Sequence, residues 1–230
     1  MSKYAMTDIH GCLKTFEAML DKIAFSKSDT LFLLGDYVDR GPDAKGVFDT
    51  IMRLQNQGYT INCLLGNHEQ ELLNSQTDDK SKYHWYQWGG IQTMESFNVK
   101  EPRDIPSKYT DFMRNLPRYI EHDGYIFCHA GLNFDMPNPF EAEESLIWIR
   151  NWYNDINYKW LGDRIIVHGH TPTDRHDIET MLALLEREQY IDIDCGCFQA
   201  DKLPFKGYLC CLDLGDRALH FQKCLDKVTF

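Results

Sequence analysis

The chain has 230 residues, 43% hydrophobic and 26% charged, with a formal net charge of −11. Such a composition describes an ordinary globule, one domain or one domain with an insertion, large enough to bury a real core. The acidic balance excludes nucleic acid as the main partner, because phosphate backbones need basic faces, and no apolar run approaches a membrane span.

In chain order, the start, MSKYAMTDIHG, enters a strand directly instead of a signal peptide, so a cytoplasmic location is expected. KYAMT (3–7) reads as a strand leading to a helix from about Leu13 to Phe25. LFLL (31–34) leads to a second helix from about Ala44 to Gln57, and TINCLL (60–65) runs into the helical HEQELLNS. Strand–loop–helix repeats of this kind predict an α/β fold with a largely parallel sheet covered by helices. Residues 74–117 change character: polar, aromatic and helical, with Trp85, Trp88, Gly89–Gly90 and three prolines, they read as a helical insertion or cap. Strands resume at RYIEH, YIFCHA, RIIVHG, YIDID, YLCCLDL and ALHFQKC. A helix is expected within 178–188, and pairing in this half is expected to be more local.

The eight cysteines show no C-x-x-C spacing of a structural zinc site. Several sit in strand-like runs as small buried hydrophobes, and all are read as free thiols in a reducing compartment. Cys195 and Cys197 flank Gly196 near a candidate site, with a structural role as the default.

Polar residues collect where strand-like runs end. Asp8 and His10 stand in TDIHG, Asp36 in LLGDYVDRG, Asn67 and His68 in LLGNHE, His129 in FCHAG, His168 and His170 in IVHGHT. In an open α/β sheet the carboxyl ends of strands share one edge, where ligand crevices form. One histidine after a strand means little, but five loops in order delivering Asp, His and Asn are hard to explain by packing. An oxygen–imidazole set suits hard or borderline divalent metals, and the ligands suffice for two ions, which can clamp a phosphoryl group.

The segments Asp8-x-His10-Gly11, Gly35-Asp36-x-Val38-Asp39-Arg40-Gly41, Gly66-Asn67-His68-Glu69, His129-Ala130-Gly131 and Gly169-His170-Thr171 resemble the calcineurin-like metallophosphoesterases. They look most like the serine/threonine protein phosphatase branch that includes bacterial and bacteriophage lambda-type enzymes. The resemblance implies a four-layer α/β/β/α sandwich with two mixed sheets and a dinuclear site at the carboxyl ends of strands. It implies that Asp8 and His10 hold one metal, that Asp36 bridges, and that Asn67, His129 and His170 complete the second. Manganese is the expected ion, with iron or zinc as alternatives. It further implies His68 as general acid oriented by Asp39, and Arg40 and Arg150 as phosphate clamps, with Asn67 also touching substrate. For Arg150 a surface ion pair beside Glu143 and Glu144 is the competing reading.

His168 is read as structural, since the family pattern gives the metal to the histidine between Gly and Thr. His84, His122, His176 and His220 fall outside the motifs. Trp85, Trp88 and Trp148 are read as buried aromatics that could border a substrate groove.

The implied activity is hydrolysis of phosphoserine or phosphothreonine in proteins by a metal-bridging hydroxide, the partner being a phosphorylated protein or peptide. The alternative is the related symmetrical diadenosine tetraphosphate hydrolase. That branch typically has Ala where this chain has Asp39 and Asp where it has Glu69, although Leu65 replaces an arginine usual in the phosphatase branch. A third reading is a non-catalytic phosphopeptide-binding scaffold, which the intact ligand set disfavours.

Overall fold

The computed structural model describes residues 1–199 and 205–228. Its first sheet contains β1 (Lys3–Met6), β2 (Thr30–Leu33), β3 (Thr60–Cys63), β8 (Tyr208–Asp213) and β9 (Ala218–Lys223), in the order β3-β2-β1-β8-β9. The second contains β4 (Tyr119–His122), β5 (Tyr125–Cys128), β6 (Ile165–His168) and β7 (Tyr190–Asp192), in chain order. β1, β2 and β3 run parallel, as do β5, β6 and β7.

Local pairing in the second half holds for the antiparallel β4–β5 and β8–β9 pairs. It fails for β5–β6–β7, where helical crossovers keep the strands parallel, and for β8, which returns to pair antiparallel with β1. The crossover helices between β6 and β7 are α9 (Arg175–Ala183) and α10 (Leu185–Glu188), so the helix expected within 178–188 begins earlier and breaks at Leu184.

Period-2 alternation explains the layering. Tyr4, Met6, Leu31 and Leu33 face α1 (Leu13–Lys22) and α2 (Ala44–Asn56), while Ala5, Phe32 and Leu34 face the second sheet. Phe32 stacks on Phe127 at 4.4 Å between ring centroids, joining the two sheets. The far side of the second sheet is covered by α7 (Ser145–Trp148) and α8 (Tyr158–Leu161), with Leu146, Trp152 and Leu161 packed on Ile126 and Ile166. Helix, sheet, sheet and helix therefore stack as the four-layer sandwich.

The 74–117 segment is helical: α4 (Asp79–Trp85), a π turn at Tyr86–Gly90, α5 (Ile91–Phe97) and α6 (Ser107–Arg114). It joins the existing helical layer instead of standing off as a lid, since Trp85, Phe97, Tyr109 and Met113 bury in the same cluster as α1 and α2. α3 (Asn67–Ser75) links it to β3. No helix among the described residues is long and apolar enough to cross a membrane.

Because Phe32 is 1% exposed and bridges the sheets, Phe32→Ala is expected to cost about 3–5 kcal/mol in denaturant unfolding. A loss under about 1 kcal/mol would contradict its inter-sheet role.

Candidate active site

The parallel strands of both sheets end at one edge, and their loops are cross-tied there. Asp8 N donates to Gly35 O (3.2 Å), His10 N to Asp36 O (2.9 Å) and Gly169 N to His129 O (2.8 Å). Six site residues lie in the left-handed region: Asp8, His10, Asp36, Asp39, Arg40 and His170, with φ between 46° and 74°. Each such conformation costs roughly 1–2 kcal/mol, so it persists only where neighbouring bonds over-determine it.

Glu69 supplies much of that restraint. Its buried carboxylate accepts from the amides of Asp36 (2.8 Å), Tyr37 (2.8 Å), Val38 (3.1 Å) and Gly66 (3.1 Å). Gly66 is required beside it, because a Cβ there would run into the carboxylate and amide of Asp36. Arg40 N donates to Gly89 O at 3.3 Å, and Gly89 (φ 102°) has no room for a Cβ against Arg40. The Gly89–Gly90 pair noted in the sequence thus brings the π turn onto the site.

Asp36 stands at the centre. Its Oδ2 is 3.6 Å from His10 Nε2, and its Oδ1 is 3.4 Å from His129 Nε2. Asp8 Oδ1 is 3.7 Å from His10 Nε2, while Asp8 Oδ2 accepts from Thr7 Oγ1 and from His170 N. Ligand atoms of Asp8, Asp36 and His129 form one compact group, and those of His10, Asp36 and His68 another. Asp36 belongs to both groups. Asn67 Oδ1 sits 2.8 Å from His129 Nε2 and 2.9 Å from His170 Nδ1.

The donor set fits cations. His10 Nδ1 and His129 Nδ1 lie 2.8 and 2.9 Å from the carbonyls of Val38 and Leu34, which take an N–H and leave each Nε2 a lone pair. For His129 that lone pair faces the oxygens of Asn67 and Asp36, an approach that a cation between them would relieve. Burial holds His129 below the usual imidazole range, which favours the neutral ring a metal ligand needs. His170 is pushed down to about 2 by burial, His129 and Arg150, and its buried Nε2 has no partner among the described residues. The Asp36 carboxyl is raised well above its usual value by burial, then by Asp8 and Glu69, a repulsion that bound cations would relieve. Asp8, His10, Asp36, Asn67, His129 and His170 together bring carboxylate, amide and imidazole donors to one edge, a set whose chemistry fits divalent cations.

Beside this set, His68 Nδ1 donates to Asp39 Oδ2 at 2.6 Å. Asp39 is buried and also accepts from the Trp85 indole (2.9 Å) and the Thr93 hydroxyl (2.7 Å). Burial raises the Asp39 carboxyl, opposed by the Thr93 and Trp85 donors. His68 is held well below its usual range by burial and by Arg40. Arg40 donates to His10 Nε2 (2.7 Å) and His68 Nε2 (2.9 Å), with its guanidinium 4.1 Å from the centre of the Phe198 ring. Arg40 therefore stands between the metal set and His68.

A cleft of about 210 Å³ opens over these groups, lined by Asp36, Arg40, Asn67, His68, Trp88, Trp148, Arg150 and His170. Arg150 lines it from the rim and donates to Thr171 Oγ1 at 2.7 Å. The ion pair with Glu143 is not made, since Glu143 meets Arg118 instead. All ten residues named from the sequence meet around this edge.

His168 is separate. β6 ends there, the chain turns left-handed at His170, and the His168 ring packs on Trp152, with Nε2 3.2 Å from the Tyr153 hydroxyl. Trp85 borders no groove; it is fully buried and braces Asp39, whereas Trp88 and Trp148 do line the cleft. Sequence reasoning missed Glu69, Thr93 and Asp194 as supports. Asp194 is buried, and its Oδ2 is without a partner among the described residues. Burial and Asp8 raise its carboxyl, and the acidic pair in YIDID was the available signal.

Asp36→Asn is expected to lower occupancy of both metals when manganese-loaded protein is dialysed and analysed by mass spectrometry. Retention of two ions per chain would exclude a shared position. Glu69→Ala leaves four buried amides without their acceptor, so a loss of roughly 3 kcal/mol or more in denaturant unfolding is expected, with a drop in activity. Near-wild-type stability would show that the loop holds itself.

Comparison with known proteins agrees with this geometry. The family model described as calcineurin-like phosphoesterase matches residues 1–196. The chain is 31% identical over 183 residues to the symmetrical bis(5'-nucleosyl)-tetraphosphatase of Nitrosomonas europaea, covering 77% of this chain and 61% of that protein. It is 33% identical over 153 residues to the enzyme of the same name from Acidovorax sp., covering 64% and 49%. The chain thus spans about six-tenths or less of the length of these curated relatives. Among solved structures, a putative diadenosine tetraphosphatase has a TM-score of 0.63 at 21% identity, covering 96% of this chain and 92% of that one. A protein serine/threonine phosphatase from Saccharomyces cerevisiae has a TM-score of 0.67 at 13% identity, covering 99% and 81%. The two structures share the fold, and the family match, falling on the loops that build the cleft, shows that this chain belongs to the calcineurin-like phosphoesterases.

Proposed function

We propose that the chain is a hydrolase of phosphomonoesters with hydroxyl leaving groups, phosphoserine and phosphothreonine in proteins being the substrate class. Asp8, His10, Asp36, Asn67, His129 and His170 would hold two divalent cations, manganese first among the expected ions. Bound there, such ions supply Lewis-acid polarisation of a phosphoryl oxygen and acidify a water. Arg40 and Arg150, at the floor and rim of the cleft, bind the phosphate, their planar forks matching two oxygens each. As Arg40 turns onto substrate, it releases His68 Nε2. The freed Nε2 then takes a proton from solvent, and the resulting imidazolium, held by Asp39 at Nδ1, passes that proton to the leaving oxygen.

The carrying observation is the buried 2.6 Å His68–Asp39 pair with its Trp85 and Thr93 braces. An alkoxide leaves with difficulty unless protonated, whereas a nucleoside diphosphate released from an anhydride needs little help.

The names of the curated relatives favour a second reading over this one: symmetrical hydrolysis of a dinucleoside tetraphosphate. Two features of the chain are compatible with it. Trp88 and Trp148, with ring centroids 5.6 Å apart at the cleft, offer faces on which a nucleobase can stack. Leu65, at the position where the resembling phosphatase branch has arginine, is buried and cannot reach a phosphopeptide.

Parallel rates on a phosphoserine peptide and on diadenosine tetraphosphate decide between them, the first reading requiring the peptide to have the higher kcat/KM. A chelator is expected to abolish either activity, with recovery on adding manganese. His68→Asn is expected to lose about 10²–10⁴-fold on phosphoserine and far less on p-nitrophenyl phosphate, whose leaving group scarcely needs a proton. Equal losses on both substrates would remove the general-acid role. Arg150→Ala is expected to weaken product inhibition by phosphate several-fold with metal content unchanged; unchanged inhibition would take Arg150 out of phosphate binding.

A further inference from the structure

Behind the catalytic edge, three thiols from distant parts of the chain converge. Cys12 follows His10-Gly11 and precedes α1, Cys197 begins a 3-10 turn (Cys197–Gln199) after β7, and Cys224 lies just beyond β9. Their sulfurs all lie within 4.8 Å of one another, and those of Cys12 and Cys224 are 3.9 Å apart. Cys12 and Cys197 are buried, while Cys224 is half-buried and gives the group a side open to solvent.

Service as small hydrophobes accounts for Cys12 and Cys197 one at a time, but it does not account for the construction around the third sulfur. The segment carrying Cys224 is fastened onto the start of α1. Asp226 Oδ1 accepts from Lys14 N (3.2 Å), and its Oδ2 accepts from Thr15 N (2.9 Å) and Thr15 Oγ1 (2.6 Å). Leu225 N donates to Thr15 Oγ1 at 2.8 Å. Cys12 itself makes no side-chain cap to α1, so the carboxylate of Asp226 does that work from across the fold. The thiol of Cys224 is thereby set beside polar atoms, Thr15 Oγ1 and Asp226 O, each at 3.6 Å.

We propose that Cys12, Cys197 and Cys224 form a binding site for a thiophilic d¹⁰ cation of the zinc class, separate from the candidate dinuclear centre. Three sulfurs at about 2.3 Å from a tetrahedral ion stand about 3.8 Å apart, close to the 3.9 Å already present. The remaining pairs close by less than about 1 Å, starting from within 4.8 Å. On binding, three S–H bonds break, their protons pass to solvent, and three sulfur–metal bonds form with no change of oxidation state. The fourth position opens on the Cys224 side, where water completes the tetrahedron.

The site would tie the carboxyl-terminal segment to the catalytic edge. Cys12 Sγ lies 3.5 Å from the carbonyl of His10, and Cys197 adjoins Phe198, whose ring packs on His10 (5.1 Å) and under Arg40 (4.1 Å).

The test uses the full chain, reduced, with excess manganese present to occupy oxygen and imidazole sites, and Cd²⁺ as the probe. One equivalent is expected to give sulfur-to-cadmium charge-transfer absorption in the ultraviolet, a band that carboxylate and imidazole sites cannot produce. Cys224→Ser, a near-isosteric change at a half-buried position, is expected to weaken Cd²⁺ binding at least tenfold, and Cys128→Ala to leave it unchanged. Absence of the band, or equal affinity in Cys224→Ser, overturns the proposal. So does a Cys12–Cys224 disulfide in protein isolated without added oxidant that takes up no Cd²⁺.

Discussion

The catalytic edge depends on one carboxylate that touches neither the proposed metals nor the phosphate. Glu69 gathers four backbone amides from the two loops that follow β2 and β3. Without an acceptor there, three successive amides of a buried turn would be stranded, and the left-handed conformations at Asp36, Asp39 and Arg40 would have little to hold them. With it, neighbouring residues point in different directions. Asp36 faces the metal set, Asp39 faces His68, and Arg40 faces the cleft.

That arrangement concentrates charge where solvent cannot screen it. Asp8, Asp36, Asp39, Asp192 and Asp194 are all buried near one edge, and Arg40 reaches into it to touch His10 and His68. Burial and mutual repulsion raise Asp36 and Asp194, so the folded chain carries an electrostatic deficit before any ion binds. Repulsion of this kind is tolerable in a site built for divalent cations and costly in a core built for packing alone. The same reasoning connects the thiol cluster to the edge: Cys12 and Cys197 are chain neighbours of the groups that shape it, His10 and Phe198.

Much of the site was legible because family motifs and strand chemistry coincide. Each ligand immediately follows an apolar run, and in parallel sheets such ends share an edge, so Asp8, His10, Asp36, Asn67, His129 and His170 could be grouped without coordinates. His168 was separable from His170 by the flanking glycine and threonine, and the turn at His170 gives the physical reason. Glu69 was visible only as part of GNHE, because the convergence of four donating amides on one carboxylate is a fact of loop geometry. Thr93 and Trp85 were invisible as partners of Asp39, because they arrive from a helical segment 46 to 54 residues away.

The sequence alone determined the strand runs, the polar residues at their ends and the family resemblance, because alternation and short-range motifs are properties of adjacent residues. Tertiary structure decided the rest. It showed the 74–117 segment as part of the helical layer, since burial of Phe97, Tyr109 and Met113 is settled by what they pack against. It placed Arg150 at the cleft through Thr171 and left Glu143 to Arg118, a choice between partners that spacing cannot make. It also assembled Cys12, Cys197 and Cys224, whose proximity depends on how β7, β9 and α1 come together and not on any spacing between cysteines.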